Sequence, residues 1–392
     1  ASDARARDGI SLGPLDGTIV TIKDLFDVAG EVTRAGSKVL ADEGKKAPAD
    51  APVVQRLRAA GSVIVAKTNM SEFAFTGIGI NPHYGTPGNP ADRARVPGGS
   101  SSGAAVAAAD GMCEVAIGSD TGGSCRIPAA ICGVVGFKPS KQRIPTEGAF
   151  PLSWSLDSIG SLAKSVAACA AVDAVMAGEA PLALERAPLA GLRLGVVQGP
   201  ALENLDDTVG KRFPEALDRL EKAGVRLSNE RLPLIDDMMR TLQRASILVA
   251  EVYSIHRDRL AERGDGVDQV VRARIEKGRD ILAADYIEVM RMRAALIRAM
   301  DARMADFDAL VMPATPTVAP RIDEVADPKE FMRRNALLLR NTTIANFFDL
   351  TAITLPLPRA GGLPTGLMLV ARNGHDHALF RMAAAVENLL GV

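Results

Sequence analysis

Two short β-branched runs separated by a helical segment limit the possible folds of this chain most strongly. GTIVTI (17–22) and SVIVAK (62–67) predict buried strands. Between them, APVVQRLRAAG (51–61) has the helical spacing of apolar residues and ends at a glycine. A strand, a helix and a second strand in this order favour parallel pairing, so the sequence predicts an α/β fold.

The rest of the chain continues this alternation. A loop rich in Pro, Gly and Asn spans 81–99, and a helix of small residues follows it at 100–111. We expect the late strands to complete the sheet begun early, giving a mixed, mostly central sheet with helices on both sides. The further predicted strands are 113–119, 192–198, 309–313, 351–356 and 366–371, and the further predicted helices are 207–223, 283–305 and 376–390.

The composition argues against several classes of partner. The 46 Lys and Arg residues and the 47 Asp and Glu residues leave a formal charge of −1, so no strong field favours nucleic acid or an anionic membrane. No apolar run approaches the roughly 18 to 20 residues that cross a bilayer. The four cysteines have no CxxC spacing and no paired histidines, which predicts free thiols and no metal site. These features predict a cytoplasmic protein with a small-molecule partner.

The length of the chain leaves its domain organisation open. Its 392 residues fit two average domains or one large α/β domain with insertions. The first predicted strand begins after about 16 residues, and we expect a further N-terminal segment before residue 1.

Two glycine-serine clusters are the most unusual feature of the sequence. GGSSSG (98–103) and TGGS (121–124) are separated by one helix and one strand, which brings both loops to one side of the sheet. Glycines permit the φ values needed to point several N–H groups at one position. Thr121, Gly122, Gly123 and Ser124 therefore form a candidate oxyanion hole. Ser124 is a candidate nucleophile, although on the residues alone the serines of both clusters also fit helix caps.

A serine nucleophile needs a base to remove its proton. No GxSxG elbow is present, and all four histidines lie in loop-like or charged surroundings, which argues against a Ser-His-Asp triad. Lys23 directly follows the first strand and is the better candidate, because burial lowers the pKa of a lysine towards neutrality. A surface salt bridge with Asp24 is the alternative role for this lysine. The histidines are His83, His256, His375 and His377.

Three long blocks resemble the central motifs of the amidase signature family. They are GPLDGTIVTIKDLFDVAG, VPGGSSSGAAVAAADG and AIGSDTGGSCRIPAAICGVVGFKPS. The resemblance implies a single amidase domain over 1–392. Within it we expect a signature core at about 13–165, a helix-rich peripheral region at about 180–305 and a sheet-completing C-terminal part at about 306–392.

The resemblance also implies a Ser–cis-Ser–Lys triad. Its nucleophile falls on Ser124, its relay serine on Ser100 behind a cis peptide bond after Gly99, and its base on Lys23. The implied reaction hydrolyses a small-molecule carboxamide to a carboxylic acid and ammonia or an amine, through a seryl acyl-enzyme and without a cofactor. A homodimer is expected for an enzyme of this size.

Several neighbouring residues receive supporting interpretations. Asp120 and Arg126 are interpreted as a buried pair that holds the nucleophile loop, and Cys125 is expected to pack inwards. Met368 stands where many family members carry glutamine, which affects only pocket contacts. The residues expected near the pocket are Asn69, Met70, Tyr84, Phe150 and Trp154.

Two other functions share parts of these motifs. An amidotransferase subunit that transfers ammonia to a carboxyl on tRNA has the same triad, but the block KPSKQRIPTEGAFPLSWSLDSIG (138–160) differs from the text of that subunit. A non-catalytic binding relative would have lost Lys23, Ser100 or Ser124, and all three are present.

Overall fold

The computed structural model describes residues 1–359 and 361–392, which contain ten β-strands and thirteen α-helices. The strands are β1 (Ile19–Lys23), β2 (Val63–Thr68), β3 (Val115–Asp120), β4 (Val135–Lys138), β5 (Ser158–Ala163), β6 (Arg193–Val197), β7 (Arg226–Glu230), β8 (Ala309–Pro313), β9 (Thr351–Pro356) and β10 (Gly366–Ala371). The helices are α1 (Ser2–Arg7), α2 (Lys38–Glu43), α3 (Pro52–Ala59), α4 (Ser102–Ala109), α5 (Arg126–Cys132), α6 (Val166–Ala177), α7 (Asp207–Lys222), α8 (Pro233–Arg244), α9 (Ile247–Arg263), α10 (Gln269–Glu276), α11 (Ala283–Arg303), α12 (Pro328–Phe347) and α13 (Asp376–Leu390). Short 3-10 helices cover Glu72–Ala74, Pro200–Leu202, Gly264–Gly266, Lys277–Asp280, Met304–Asp306 and Asp323–Val325.

All ten strands form one mixed sheet in the order β2-β1-β3-β5-β4-β9-β10-β8-β6-β7. β2, β1 and β3 are parallel to one another at one end, and β8, β6 and β7 are parallel at the other. The strands between them pair antiparallel. The predicted α/β fold with a mixed central sheet is confirmed, including the parallel pairing of the first two strands.

Alternate residues of the central strands enter two different apolar cores. In β10, Leu367 and Leu369 join one core, whereas Met368 and Val370 join the other. Successive side chains of a strand point to opposite faces of the sheet, so each core lies on one face. The first core includes residues of α3, α6, α7 and α13, and the second includes residues of α8, α11 and α12. Helices therefore cover both faces.

The structure differs from the sequence-based expectations in three strands. β4 and β5 were not predicted, because VGFK is short and SIGSLA is rich in small residues. β7 reads RLSNE and is a polar edge strand without an apolar run. Since β6 and β7 extend the sheet beyond β8, the region at 180–305 is not only a peripheral layer of helices.

The helices, the possible metal ligands and the cysteines of the described residues were also compared with the sequence-based expectations. None of the described helices is long and apolar enough to cross a membrane. The described residues also hold no cluster of three or more His, Cys, Asp or Glu side chains arranged for a metal ion. Cys113, Cys125, Cys132 and Cys169 are all buried free thiols.

Truncation of Phe380 tests the packing of α13 on the sheet. Its ring lies 4.1 Å from that of Phe137 in β4, measured between centroids, and both side chains are buried. We expect Phe380→Ala to lower the free energy of unfolding in urea by about 3 to 5 kcal/mol, because the substitution leaves a cavity. Leu182 is 83% exposed, so Leu182→Ala is the control, with an effect within about 0.5 kcal/mol. Equal effects of the two variants would contradict the described packing.

Candidate active site

The parallel strands bring the predicted catalytic segments to one edge of the sheet. Lys23 is the last residue of β1, so it belongs to the strand instead of following it. β3 lies beside β1, pairs Ile117 with Ile22, and leads directly into the loop at 121–124. The carboxyl ends of parallel strands meet at one edge, which is a common place for a ligand site in α/β folds.

The ammonium group of Lys23 is held between two serine hydroxyls. Its Nζ donates to Ser100 Oγ at 2.7 Å and to Ser119 Oγ at 2.9 Å. The side chain is completely buried, and this burial lowers the pKa of Lys23 from 10.5 to about 8. The alternative salt bridge with Asp24 does not occur, because the carboxylate of Asp24 instead accepts from the Gly36 N–H. Lys23 is therefore a buried amine whose neutral form is accessible near neutral pH.

The loop that carries Ser100 has a fixed main-chain geometry. The peptide bond between Gly99 and Ser100 is cis, as the family resemblance implies. Glycine is required at position 99, because a Cβ there would lie 2.8 Å from the backbone nitrogen of Gly79. The carbonyl of Ser100 accepts from the Ser71 N–H at 3.1 Å. These contacts hold Ser100 Oγ against Lys23.

The serines beside Ser100 do not cap α4. Ser101 is the N-cap residue but makes no side-chain cap, and its Oγ donates to the carbonyl of Ser119 at 3.2 Å. Ser102 Oγ donates to the carbonyl of Asn69 at 3.3 Å. The helix-cap interpretation of this cluster is therefore wrong, and Ser100 alone of the three contacts Lys23 Nζ in the described residues.

The loop of Ser124 is joined to the Ser100 loop by the main chain. The Ser101 N–H donates to the carbonyl of Ser124 at 3.2 Å. Gly123 has φ +138°, and a Cβ there would lie 2.1 Å from Thr342 Oγ1, so only glycine fits. Ser124 is 5% exposed, which leaves a narrow approach to its hydroxyl.

The peptide groups of this loop are oriented by their carbonyls. The carbonyl of Gly122 accepts from Thr342 Oγ1 at 2.7 Å, and that of Gly123 accepts from the Ile127 N–H at 2.7 Å. Within the described residues, the N–H groups of Gly122, Gly123 and Ser124 donate to no protein acceptor. Such fixed and unused donors are what an oxyanion hole needs.

Asp120 and Arg126 form a completely buried ion pair across this loop. Arg126 donates from Nε to Asp120 Oδ2 at 3.0 Å and from Nη2 to Oδ1 at 2.9 Å. Burial raises the pKa of Asp120, but the guanidinium and the amide of Asn346 outweigh it and bring the pKa to about 2. Arg126 also donates to the carbonyl of Thr342 and contacts Met368 Sδ at 3.3 Å. The pair therefore ties the loop to α12 and to β10.

A cavity of about 270 Å³ opens beside these groups. Ser119, the second partner of Lys23, lines it together with Asp157. Asp157 accepts from Thr121 Oγ1 at 2.6 Å and from the N–H groups of Leu152 and Ser153. Burial raises the pKa of Asp157, although these hydrogen bonds oppose the rise. Ser124 itself is not among the residues that line this cavity.

The structure distributes the five residues expected near the pocket over three places. Phe150 and Trp154 line the cavity beside Ser119. Asn69 and Tyr84 line a separate charged cleft next to Asp24, and Met70 is buried in the apolar core.

Two side chains of types that often act in catalysis, His256 and Cys125, do not take part in the candidate site. His256 is buried in α9 against the ring of Phe73, whereas loop-like or charged surroundings were expected for the histidines, and burial lowers its pKa to about 3. Cys125 packs inwards as expected, and burial raises the pKa of its thiol far above neutrality. Neither residue is placed to activate Ser124.

Sequence reasoning missed Ser119, Asp157 and Thr342. Ser119 lies in the segment GSD just before the TGGS loop. A hydroxyl next to the last residue of β3 could have been predicted to lie near the site. Asp157 and Thr342 come from distant segments, and no local pattern connects them with the loop at 121–124.

Comparisons with known proteins identify the family of the chain. A family model described as Amidase matches residues 1–380. The chain is 34% identical over 400 residues to the 2-amino-5-chloromuconic acid deaminase of Comamonas testosteroni, covering 100% of this chain and 85% of that protein. It is 36% identical over 416 residues to a glutamyl-tRNA(Gln) amidotransferase subunit from Halobacterium salinarum, covering 97% of each. A crystal structure of an amidase superimposes with a TM-score of 0.88 at 33% identity, covering 100% of this chain and 88% of the other.

The chain therefore belongs to the amidase signature family. It is an amidase-type hydrolase that acts on carbon–nitrogen bonds.

The buried charge of Lys23 predicts a stability that depends on pH. Because the folded pKa is about 8 and the ordinary value is 10.5, burying the charged lysine opposes folding by about 3 kcal/mol at pH 7. Between pH 8 and 10.5 Lys23 binds more protons in the unfolded chain than in the folded chain, so the contribution of Lys23 to stability becomes less unfavourable as the pH rises. We expect Lys23→Met to be more stable than wild type at pH 7, and the difference to shrink towards pH 10.5.

Urea unfolding of both proteins from pH 7 to pH 10.5 measures this difference. Lys222 at the end of α7 is exposed, so Lys222→Met is the control and should change stability by less than about 0.5 kcal/mol at every pH. A Lys23→Met variant that is less stable than wild type at pH 7 would contradict the predicted cost of burial.

Proposed function

We propose that the chain hydrolyses a small-molecule carboxamide with Ser124 as nucleophile, Ser100 as relay and Lys23 as base. The observation that carries the proposal is the 2.7 Å contact between Lys23 Nζ and Ser100 Oγ, made by a buried lysine with a lowered pKa. A buried neutral amine can accept a proton, and the serine beside it can pass one on.

In the first half of the reaction, neutral Lys23 takes the proton of Ser100 while Ser100 takes the proton of Ser124. Ser124 Oγ then attacks the carbonyl carbon of the amide. The negative charge that develops on the carbonyl oxygen lies towards the N–H groups of 121–124. One oxyanion donor of this kind lowers the barrier by roughly 3 to 4 kcal/mol in other enzymes.

Breakdown of the tetrahedral intermediate breaks the carbon–nitrogen bond and leaves an acyl-enzyme on Ser124. The proton held by the relay passes to the departing nitrogen, so ammonia or an amine leaves neutral. Water then attacks the acyl-enzyme, gives its proton to the same relay, and releases the carboxylic acid. The cycle balances without a cofactor.

Thr121 and the Asp120–Arg126 pair have supporting roles in this proposal. The pair keeps the loop at 121–124 in one conformation, and the hydrogen bond from Thr121 to Asp157 fixes the start of that loop. Ser119 accepts from Lys23 and is a positioning residue, since its hydroxyl helps to aim Nζ.

An amidotransferase-like protein is the second candidate function. The 36% identity to the Halobacterium salinarum protein over 97% of each chain favours it. The two functions differ in their dependence on a partner. An amidase hydrolyses its amide as the isolated chain, whereas transfer of ammonia to tRNA needs further components. A cytoplasmic location and a homodimer remain predictions from the sequence.

Replacement of the triad residues tests the proposed mechanism. We expect Ser124→Ala to lower kcat for simple amides by at least about 10⁴-fold, because no other group forms the acyl-enzyme. Lys23→Ala and Ser100→Ala should lower kcat by about 10² to 10⁴-fold, because the proton transfer is lost. Ammonia release by the purified variants measures both effects.

Ser102→Ala is the matched control, because Ser102 is a neighbouring buried serine without contact to Lys23. Its activity should stay within about threefold of wild type. A sulfonyl fluoride should also label Ser124 in wild type. Near-normal turnover by Ser124→Ala, or a label on another residue, would contradict the assignment.

The lowered pKa of Lys23 predicts an acidic limb in the pH profile, on which activity is lost as the base becomes protonated. The base must be neutral, so kcat/KM should fall about tenfold per pH unit below about pH 8 and level off above it. Ser119→Ala should move the limb to lower pH, because the hydrogen bond to Ser119 stabilises the charged form of Lys23.

Lys138 provides the control for this limb. It is also completely buried, and burial lowers its pKa to about 8, but its Nζ donates to the carbonyls of Pro139 and Leu350. In Lys138→Met the limb should therefore stay near pH 8. A limb that disappears in Lys138→Met and is unchanged in Ser119→Ala would show that Lys138, and not Lys23, sets it.

A further inference from the structure

The cavity beside Ser119 adjoins the proposed triad and could hold the side group of a substrate. Ser119 Oγ joins the cavity to Lys23, and Asp157 joins it to Thr121 at the start of the nucleophile loop. Its volume of about 270 Å³ is at or below the small end of ligand pockets, which span roughly 300 to 1,000 Å³. The cavity is therefore suited to a small group.

The wall of this cavity is largely apolar. Leu25, Leu152 and Ile159 contribute buried side chains, and Phe150 and Trp154 add aromatic rings. An apolar group that leaves water for such a wall gains roughly 25 cal/mol per Å² of buried surface. The wall therefore favours substrates with a hydrocarbon side group.

The only charged side chains among the described lining residues are two carboxylates, Glu147 and Asp157. Asp157 is engaged by three hydrogen bonds, whereas Glu147 is exposed and has no ion-pair partner in the part of the chain that the structure describes. None of the described lining residues is Lys, Arg or His. A second carboxylate on a substrate would thus enter without a cation to compensate the loss of water.

Lys141 is a cation close to this wall, and its ammonium group is turned to the main chain. Lys141 Nζ donates to the carbonyls of Trp154 and Asp157, both at 2.9 Å, and Lys141 does not line the cavity. Its contacts hold the loop that forms the wall. Glu251 also contacts this loop, because it accepts from the N–H and the Oγ of Ser155, and it accepts as well from the hydroxyl of Tyr286 in α11. The sign of the charge at the wall is therefore fixed by Glu147 and Asp157.

We propose that this cavity selects carboxamides whose side group is uncharged and apolar, and that Glu147 is a specificity-determining residue that rejects amides bearing a second carboxylate. The proposal rests on the amidase function above. It assigns the cavity to the substrate's side group while the carboxamide lies at Ser124. Glu147 acts by repulsion at the rim and does not take part in bond making or breaking.

Pairs of amides of equal length but different charge test the proposal. Pentanamide and succinamate have similar length, and only succinamate carries a carboxylate. We expect kcat/KM of the wild-type enzyme to be at least about 100-fold higher for pentanamide, because repulsion and desolvation act on succinamate alone. In Glu147→Lys this ratio should fall by about tenfold or more, because repulsion becomes attraction. Glu147→Gln should lower the ratio by a smaller factor.

Glu221→Lys is the matched control, because Glu221 is an exposed residue of α7, which contacts β7 and β8 at the opposite end of the sheet. It makes the same change in net charge and should leave the ratio unchanged. A wild-type enzyme that prefers succinamate, or treats the two amides alike, would overturn the proposed substrate class. A ratio that is the same in Glu147→Lys and wild type would overturn the role of Glu147.

Labelling of Ser124 separates this proposal from the proposed function. Phenylmethanesulfonyl fluoride reports on the nucleophile without a carboxamide substrate. If Ser124 is labelled and both amides are hydrolysed equally, the amidase function stands and the specificity proposal fails. If Ser124 is not labelled and neither amide is hydrolysed, the amidase mechanism fails, and the specificity proposal fails with it.

Discussion

The site depends on a lysine that has been removed completely from water. Lys23 has two hydroxyl partners and no carboxylate at hydrogen-bond distance in the described residues, so its charge is poorly compensated. Burial without a paired anion is the reason that its pKa falls to about 8. The burial that suits Lys23 to the proposed role of base also lowers the stability of the folded state, and packing elsewhere in the protein must offset that cost.

The loop of Ser124 also contains polar groups without a protein partner in the part of the chain that the structure describes, and here they are main-chain N–H groups. In the proposed mechanism its N–H groups face the substrate and make no hydrogen bond within the described residues, while its carbonyls are held elsewhere. Thr342 and Ile127 hold the carbonyls of Gly122 and Gly123, and the Asp120–Arg126 pair fixes the residues on both sides. A buried pair with matched hydrogen bonds is expensive to break, so it holds one conformation of the loop.

Sequence patterns predicted the elements that bury apolar faces. The sequence predicted four elements with the bounds that the structure has, namely β8, β9, β10 and α13. Their apolar patterns are continuous and end at residues typical of turns. β7 gave no such signal, since an edge strand can be stabilised by main-chain bonds to β6 without apolar side chains. His256 lies in α9, whose sequence is rich in charged residues, and it is buried against the rings of Phe73 and Phe150.

The sequence by itself determined the fold class and the family. Its glycine-rich and β-branched segments indicated Ser124 and Lys23, and the family resemblance added Ser100. Only the tertiary structure decided which serine meets the lysine, that Ser119 is its second partner, and that Asp157 and Thr342 hold the nucleophile loop. These contacts join residues from separate strands, loops and helices. A local sequence pattern predicts where side chains lie along one helix or strand. The distances between side chains of different elements depend on the strand order of the sheet.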